Sequence, residues 1–160
     1  QLTPARLAIL TQALISFQKA TKAFILLLPF QPIKDLKISE SIHQKLPNHS
    51  KILTIEDPRV LKGVFRGVEM VIGMRFHSLI MGSAEECRCF AISYDPKVSQ
   101  LMTELEMPGW ELVELPEDAN LISKIWIENY ANGNALFPER IDFLKERSLI
   151  HQEVLSSINN

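Results

Sequence analysis

The chain has 160 residues, of which 46% are hydrophobic and 22% charged. That balance excludes a disordered polymer and supplies the core of about one domain without disulfides or a structural metal. The formal net charge of -2 excludes a bulk attraction for nucleic acid, so any anion site must be local. The two cysteines, Cys87 and Cys89, are too close in sequence to bridge across a fold and read as reduced thiols of a cytosolic protein. No apolar run approaches the ~20 residues needed to span a bilayer, and no secretory start is present. The chain opens on Gln1 rather than Met, which leads to the expectation of a fragment or an excised domain.

Thr3-Pro4 is a helix-start signal, with the cap residue followed by proline at the first helical position. Leu7, Leu10, Leu14 and Phe17 then recur at helical spacing. The apolar run from Ala23 to Phe30 predicts a strand buried on both faces of a parallel sheet. A helix is expected over Asp35 to Leu46, and a second strand over Lys51 to Ile55. Asp57-Pro58 repeats the cap signal ahead of Val60, Leu61, Val64 and Phe65. Strands follow at Val68 to Gly73 and Cys89 to Tyr94, with a helix from Arg75 to Glu86 between them. Asp95-Pro96 caps a further helix. A short strand at Glu111 to Leu115 and a helix from Asp118 to Tyr130 complete the alternation. Gly133 breaks the chain, and Pro138 opens a terminal helix over 138–160.

About five strand–helix alternations with short connections predict an α/β fold, a Rossmann-like parallel sheet covered by helices on both faces. The whole of 1–160 reads as one domain. In such sheets ligands sit beyond the carboxyl ends of the strands. That rule singles out three turns. At the first, Gly73 lets the chain leave its strand, and Arg75 and His77 fall at the start of the next helix. Free N–H groups and the positive end of the helix dipole favour an anion there. Arg75 adds a planar fork suited to phosphate or carboxylate, and His77 can exchange a proton near neutral pH. A plain salt bridge for Arg75 and a structural hydrogen bond for His77 explain the same residues equally well. At the second turn, Asp95 and Pro96 act as cap and first helical residue, while Lys97 sits where the dipole penalises a cation unless an anion is near, and a solvated lysine explains the spacing equally well. Tyr94 either packs against the sheet edge or lines the site. At the third, Pro29-Phe30-Gln31-Pro32 is fixed by two prolines, Asp35 is positioned to cap the next helix, and Gln31 can reach a ligand.

Other signals are weak. His43, His49 and His151 have no partners at metal-ligand spacing and read as surface residues, and Cys87-x-Cys89 lacks the second pair that zinc requires. Neither a dinucleotide fingerprint, a P-loop nor a nucleophile elbow occurs.

The stretch Val71-Ile72-Gly73-Met74-Arg75-Phe76-His77-Ser78-Leu79-Ile80, followed by Ile92-Ser93-Tyr94-Asp95-Pro96-Lys97-Val98, resembles the polysaccharide pyruvyl transferase family, most closely its bacterial CsaB-type members. Leu28-Pro29-Phe30-Gln31 with Asp35 is similar to a family loop after an earlier strand. The resemblance runs from about Phe24 to Leu105. It implies a GT-B-like enzyme of two Rossmann-like domains, of which this chain is the C-terminal, donor-binding half. It implies transfer of the pyruvyl unit of phosphoenolpyruvate to two hydroxyls of a sugar, forming a ketal and releasing phosphate. The implied acceptor is an N-acetylmannosamine-type sugar of a cell-wall polysaccharide or of its lipid-linked precursor, the kind of polymer that S-layer homology domains hold. Carried over by motif, Arg75, His77 and Lys97 hold phosphoenolpyruvate, and His77 transfers the proton. Gln31, Gly73 and Tyr94 line the site. No cofactor or metal and no nucleic-acid partner are implied. The location is expected to be cytoplasmic, and a lipid-linked acceptor implies the inner face of the membrane. Cys87-Arg88-Cys89 departs from the glycine and proline that the family carries before this strand. The N-terminal domain is expected outside this chain, which alone should be inactive. Two competing classes share the architecture, the donor half of a nucleotide-sugar glycosyltransferase or epimerase, and a non-catalytic binding domain.

Overall fold

A computed structural model describes residues 2–133, so the helix expected over 138–160, His151 with it, lies outside the described residues. The element order is α1 (Pro4–Thr21), β1 (Ile25–Leu27), α2 (Pro32–Lys45), β2 (Ser50–Ile52), α3 (Pro58–Arg66), β3 (Met70–Gly73), α4 (Phe76–Ala84), β4 (Arg88–Ser93), α5 (Pro96–Leu105), β5 (Gly109–Glu111), a 3-10 turn (Leu112–Glu114) and α6 (Ala119–Asn132). The cap signals act as read. The side chains of Thr3, Asp57 and Asp95 accept from the backbone N–H groups of Arg6, Arg59 and Lys97, with proline at the first helical position each time. Asp118 does the same for α6 through Asn120.

All strand pairs are parallel. β1 pairs with β2, Ile25 opposite Ser50. β3 pairs with β4, Val71 opposite Cys89, and β4 with β5, Ile92 opposite Trp110. The sequence predicts one continuous sheet, whereas the described strands form two, β2-β1 and β3-β4-β5. No described strand covers the second edge of β1 or the first edge of β3.

Helices cover both faces. α1 packs on α6 and α2, while α4 packs on α3 and α5. Side-chain alternation along β3 joins the two layers: Val71 enters the core with Phe65, Leu79, Val98 and Leu101, and Ile72 packs toward Leu10, Phe17, Ile122 and Trp126. A third cluster, around Leu27, Ile42 and Leu46, joins β1 to α1 and α2.

Two strand expectations need correction. The Ala23–Phe30 run yields only three strand residues, and Phe24 is 59% exposed rather than buried. Pro29 and Pro32 stop the strand, and Phe24 lies just ahead of it. At the other end, the strand expected at Glu111 to Leu115 is a strand over Gly109–Glu111 and then a 3-10 turn. Leu112 and Leu115 are both buried while Val113 is 75% exposed. Their spacing of three matches the eclipsed side chains of a 3-10 turn, not strand alternation.

α4 ends in a Schellman arrangement. Glu86 takes φ 64°, and the Cys87 N–H donates back to the Gly82 carbonyl over 2.9 Å. Among the described residues no helix is long and apolar enough to cross a membrane.

Candidate functional site

Three loops meet at the carboxyl ends of β1, β3 and β4. The chain leaves β3 through Gly73, whose φ is not left-handed. Its need is for space instead. A Cβ there would meet Ser78 Oγ at 2.7 Å and Leu79 Cδ2 at 2.8 Å, so glycine lets α4 close onto the strand. The expected role of this glycine, to let the chain leave its strand without a side-chain clash, has its physical reason in the close approach of α4. Ser78 Oγ then donates to the Arg75 carbonyl over 2.7 Å, which fixes the entry into α4.

Arg75 is expected inside the first helical turn. It stands one residue earlier, as the N-cap, with extended backbone at φ -98° and ψ 133°. That conformation swings its side chain across to α2. The guanidinium makes a fork with Asp35, Nη2 to Oδ1 at 2.6 Å and Nε to Oδ2 at 3.2 Å, with the side chains 24% and 17% exposed. The Asp35 hydrogen bond and charge hold Arg75 more firmly in its charged form, against the opposing effect of partial burial. The guanidinium carbon also lies 5.8 Å from the centre of the Tyr94 ring, within cation–π range.

Asp35 is not the N-cap that the sequence suggests, because Pro32 already starts the helix. From the first turn of α2 its Oδ2 reaches back to accept the Gln31 N–H over 3.0 Å. It therefore ties the β1 loop to the β3 loop. Sequence reasoning missed this partner of Arg75. The available signal was a carboxylate and an arginine in the turns after two strands at the centre of one α/β fold, both with fixed helix starts.

His77 is the second residue of α4, half-buried, with its ring edge-on to Phe76 at 5.8 Å between centroids. Lys97 is the second residue of α5 and exposed. Its backbone N–H donates to Asp95 Oδ1, while its side chain stands at the positive end of that helix. Ser93 Oγ donates to the Asp95 carbonyl at 3.0 Å and lies 2.7 Å from Ser99 Oγ, bracing the turn that presents Tyr94 and Lys97. Asp35, Gly73, Arg75 and Tyr94 line one cavity of about 840 Å³, and Gln31, His77 and Lys97 are not among its lining residues. The structure thus joins Arg75 to Asp35 and Tyr94 directly and carries His77 and Lys97 on the neighbouring helix starts.

Outside these loops the candidate groups are structural. His43, read as a surface residue, is half-buried, and its Nδ1 lies 2.7 Å from Ser50 Oγ, which itself donates to the Leu46 carbonyl. Cys87 and Cys89 are free and buried. Burial pushes their thiols up to about 11 and about 12, so neither is a thiolate at neutral pH. No group of three or more His, Cys, Asp or Glu among the described residues is placed to hold a metal ion.

With this geometry in place, comparison with known families is informative. A family model described as polysaccharide pyruvyl transferase matches residues 4–96, more than half of the chain. The matched span contains Asp35, Gly73, Arg75, His77 and Tyr94, and it ends one residue before Lys97. Comparison with curated proteins and with solved structures returned no match.

Proposed function

The chain belongs to the polysaccharide pyruvyl transferase family, and from that premise we propose that it is the donor-binding part of an enzyme that moves the pyruvyl unit of phosphoenolpyruvate onto a sugar. The observation that carries the reading is the family match over the loops where Arg75 and His77 stand, at the carboxyl ends of a parallel sheet. The donor is a small trianion, with a phosphate and a carboxylate close together. The starts of α4 and α5, Arg75 and Lys97 supply matching positive potential. Asp35 engages only two of the five guanidinium N–H donors of Arg75, on Nε and Nη2, and the ion pair fixes the orientation of the others.

The reaction needs proton traffic as well as charge. Two sugar hydroxyl oxygens bond to the central carbon of the donor, whose bond to the phosphate oxygen breaks. One hydroxyl proton is balanced by the proton that turns the methylene into a methyl group, and the other leaves with the phosphate. In this proposal His77 delivers the proton to the methylene carbon, Lys97 and Arg75 hold phosphate and carboxylate, and Gln31, Gly73 and Tyr94 line the site. The acceptor would be an N-acetylmannosamine-type sugar of a cell-wall polysaccharide or its lipid-linked precursor, met at the cytoplasmic face of the membrane. A second domain of the same protein, GT-B-like in arrangement, would supply most acceptor contacts.

The test is ligand-dependent protection of the full-length protein. Phosphoenolpyruvate should raise the melting temperature, with the rise reduced in Arg75→Ala and Lys97→Ala. Protection by a UDP-sugar and none by phosphoenolpyruvate would refute the donor.

A further inference from the structure

Arg75 is held at both ends. At its base, the carbonyl accepts from Ser78 Oγ over 2.7 Å and from the Leu79 N–H over 3.3 Å. At its tip, Asp35 takes Nε and Nη2. The carboxylate is itself anchored on its own side of the contact. Pro32 starts α2, the Asp35 N–H donates to the Gln31 carbonyl over 2.8 Å, and Asp35 Oδ2 accepts the Gln31 N–H over 3.0 Å. These bonds are local, so they form with the helix start and fix the rotamer of Asp35 independently of Arg75. Among the described strands β1 pairs with β2 and β3 with β4, so no ladder joins the two loops. The fork between them sets where the guanidinium lies relative to α2.

This arrangement is adverse for the proposed donor in one respect. Asp35 offsets the charge of Arg75 and repels a trianion. It also occupies the side-on edge, Nε with Nη2, by which a free arginine grips a phosphate or a carboxylate in a fork. What remains is one N–H of Nη2 and both of Nη1, all turned away from Asp35. The Tyr94 ring lies against the same group, its centre 5.8 Å from the guanidinium carbon. Affinity is thus lowered and the direction of approach is fixed. That combination suits a site in which alignment in the transition state counts for more than grip on the ground state.

We propose that Asp35 is a positioning residue of the transfer reaction: it holds Arg75 so that the donor meets only the end-on N–H groups of the guanidinium, and it does so at the expense of ground-state affinity. The proposal rests on the reading of these loops as a phosphoenolpyruvate site. In this role Asp35 touches neither donor nor acceptor and acts through Arg75. Without its carboxylate, Arg75 is free to turn its side-on edge to the donor, which then binds more tightly in an orientation that proton delivery from His77 does not serve.

The experiment uses the full-length protein and two variants. Asp35→Asn removes the charge and one acceptor at nearly constant size, and Asp35→Glu keeps the charge and displaces it by one methylene. In Asp35→Asn, kcat for pyruvyl transfer should fall about 10- to 100-fold. KM for phosphoenolpyruvate should fall with it, by at least about 3-fold, because a repelling charge is gone. In Asp35→Glu kcat should fall and KM should not. A thermal melt of each variant establishes that it is folded. The Arg75 Nε–H resonance, identified by its loss in Arg75→Lys, supplies a readout that needs no turnover. It should be protected from exchange with water in the parent protein and lose that protection in Asp35→Asn. A lower kcat with a raised KM in Asp35→Asn would make Asp35 a plain structural tie and overturn the proposal. So would a lower KM with kcat unchanged, or an Nε–H that exchanges as fast in the parent as in the variant. Absence of turnover with phosphoenolpyruvate in the parent protein would refute the donor reading separately, and inorganic phosphate then tests Asp35. It should bind at least about 3-fold more tightly to Asp35→Asn than to the parent, and equal or weaker binding would overturn the proposal.

Discussion

Removing the Asp35 carboxylate tests how the site is held together. Asp35→Ala leaves Arg75 with neither of its contacts at 2.6 and 3.2 Å and frees the Gln31 N–H. Exposed ion pairs contribute about 0–1 kcal/mol, while breaking a fully buried one costs about 3–5 kcal/mol. Side chains 24% and 17% exposed lie between those limits, so a loss of about 2 kcal/mol is expected. For a domain of this size that lowers the melting temperature by about 4–8 °C. Part of the loss comes from leaving Arg75 unpaired, so the pair itself is read from a double-mutant cycle with Arg75→Ala by urea unfolding. A coupling of about 1 kcal/mol is expected. Additive losses within about 0.3 kcal/mol would refute the claim that this ion pair ties the two loops.

Further outcomes follow from other parts of the structure. Gly73→Ala should cost about 1–3 kcal/mol, because Leu79 is fully buried and Ser78 is already committed to the Arg75 carbonyl; chemical denaturation measures it. Glu86→Gly should stabilise by up to about 1 kcal/mol, since it relieves a left-handed residue at an exposed helix end; an unchanged or lower unfolding midpoint would contradict this. The thiols of Cys87 and Cys89 should resist a thiol reagent until the protein unfolds. Their folded values lie above the ordinary 9.0, so the unfolded chain loses these protons first. Their contribution is complete below about pH 9 and is lost as the pH rises toward about 11 to 12. Stability measured from pH 8 to 11 should fall less steeply in a Cys87→Ala, Cys89→Ala variant than in the parent chain.

The helix starts were legible because each is written locally. Thr3, Asp57 and Asp95 precede proline, and each cap closes within three residues. Arg75 and His77 were legible as site candidates because strand–turn–helix order places them at a strand's carboxyl end. The partner of Arg75 was not, since Asp35 lies forty residues earlier and meets it only through the sheet. The Leu112–Leu115 turn was misread because a short apolar segment does not show in its sequence which residues are buried, and it is the burial of Leu112 and Leu115 with Val113 exposed that marks the tight turn. The split of the sheet left no local mark either. The run Ala23 to Phe30 is as apolar as a central strand, and whether its second edge is paired depends on a neighbour distant in sequence.

The most direct measurement is acceptor-dependent release of inorganic phosphate from phosphoenolpyruvate by the full-length protein, compared with its His77→Ala and Lys97→Ala variants. Lys97 is exposed, so its replacement should leave stability within about 0.5 kcal/mol. The account predicts release with transfer of the pyruvyl group to the sugar, and loss of at least 100-fold in each folded variant. Undiminished release in both variants, or no release from phosphoenolpyruvate with any pyruvylatable acceptor, would contradict it.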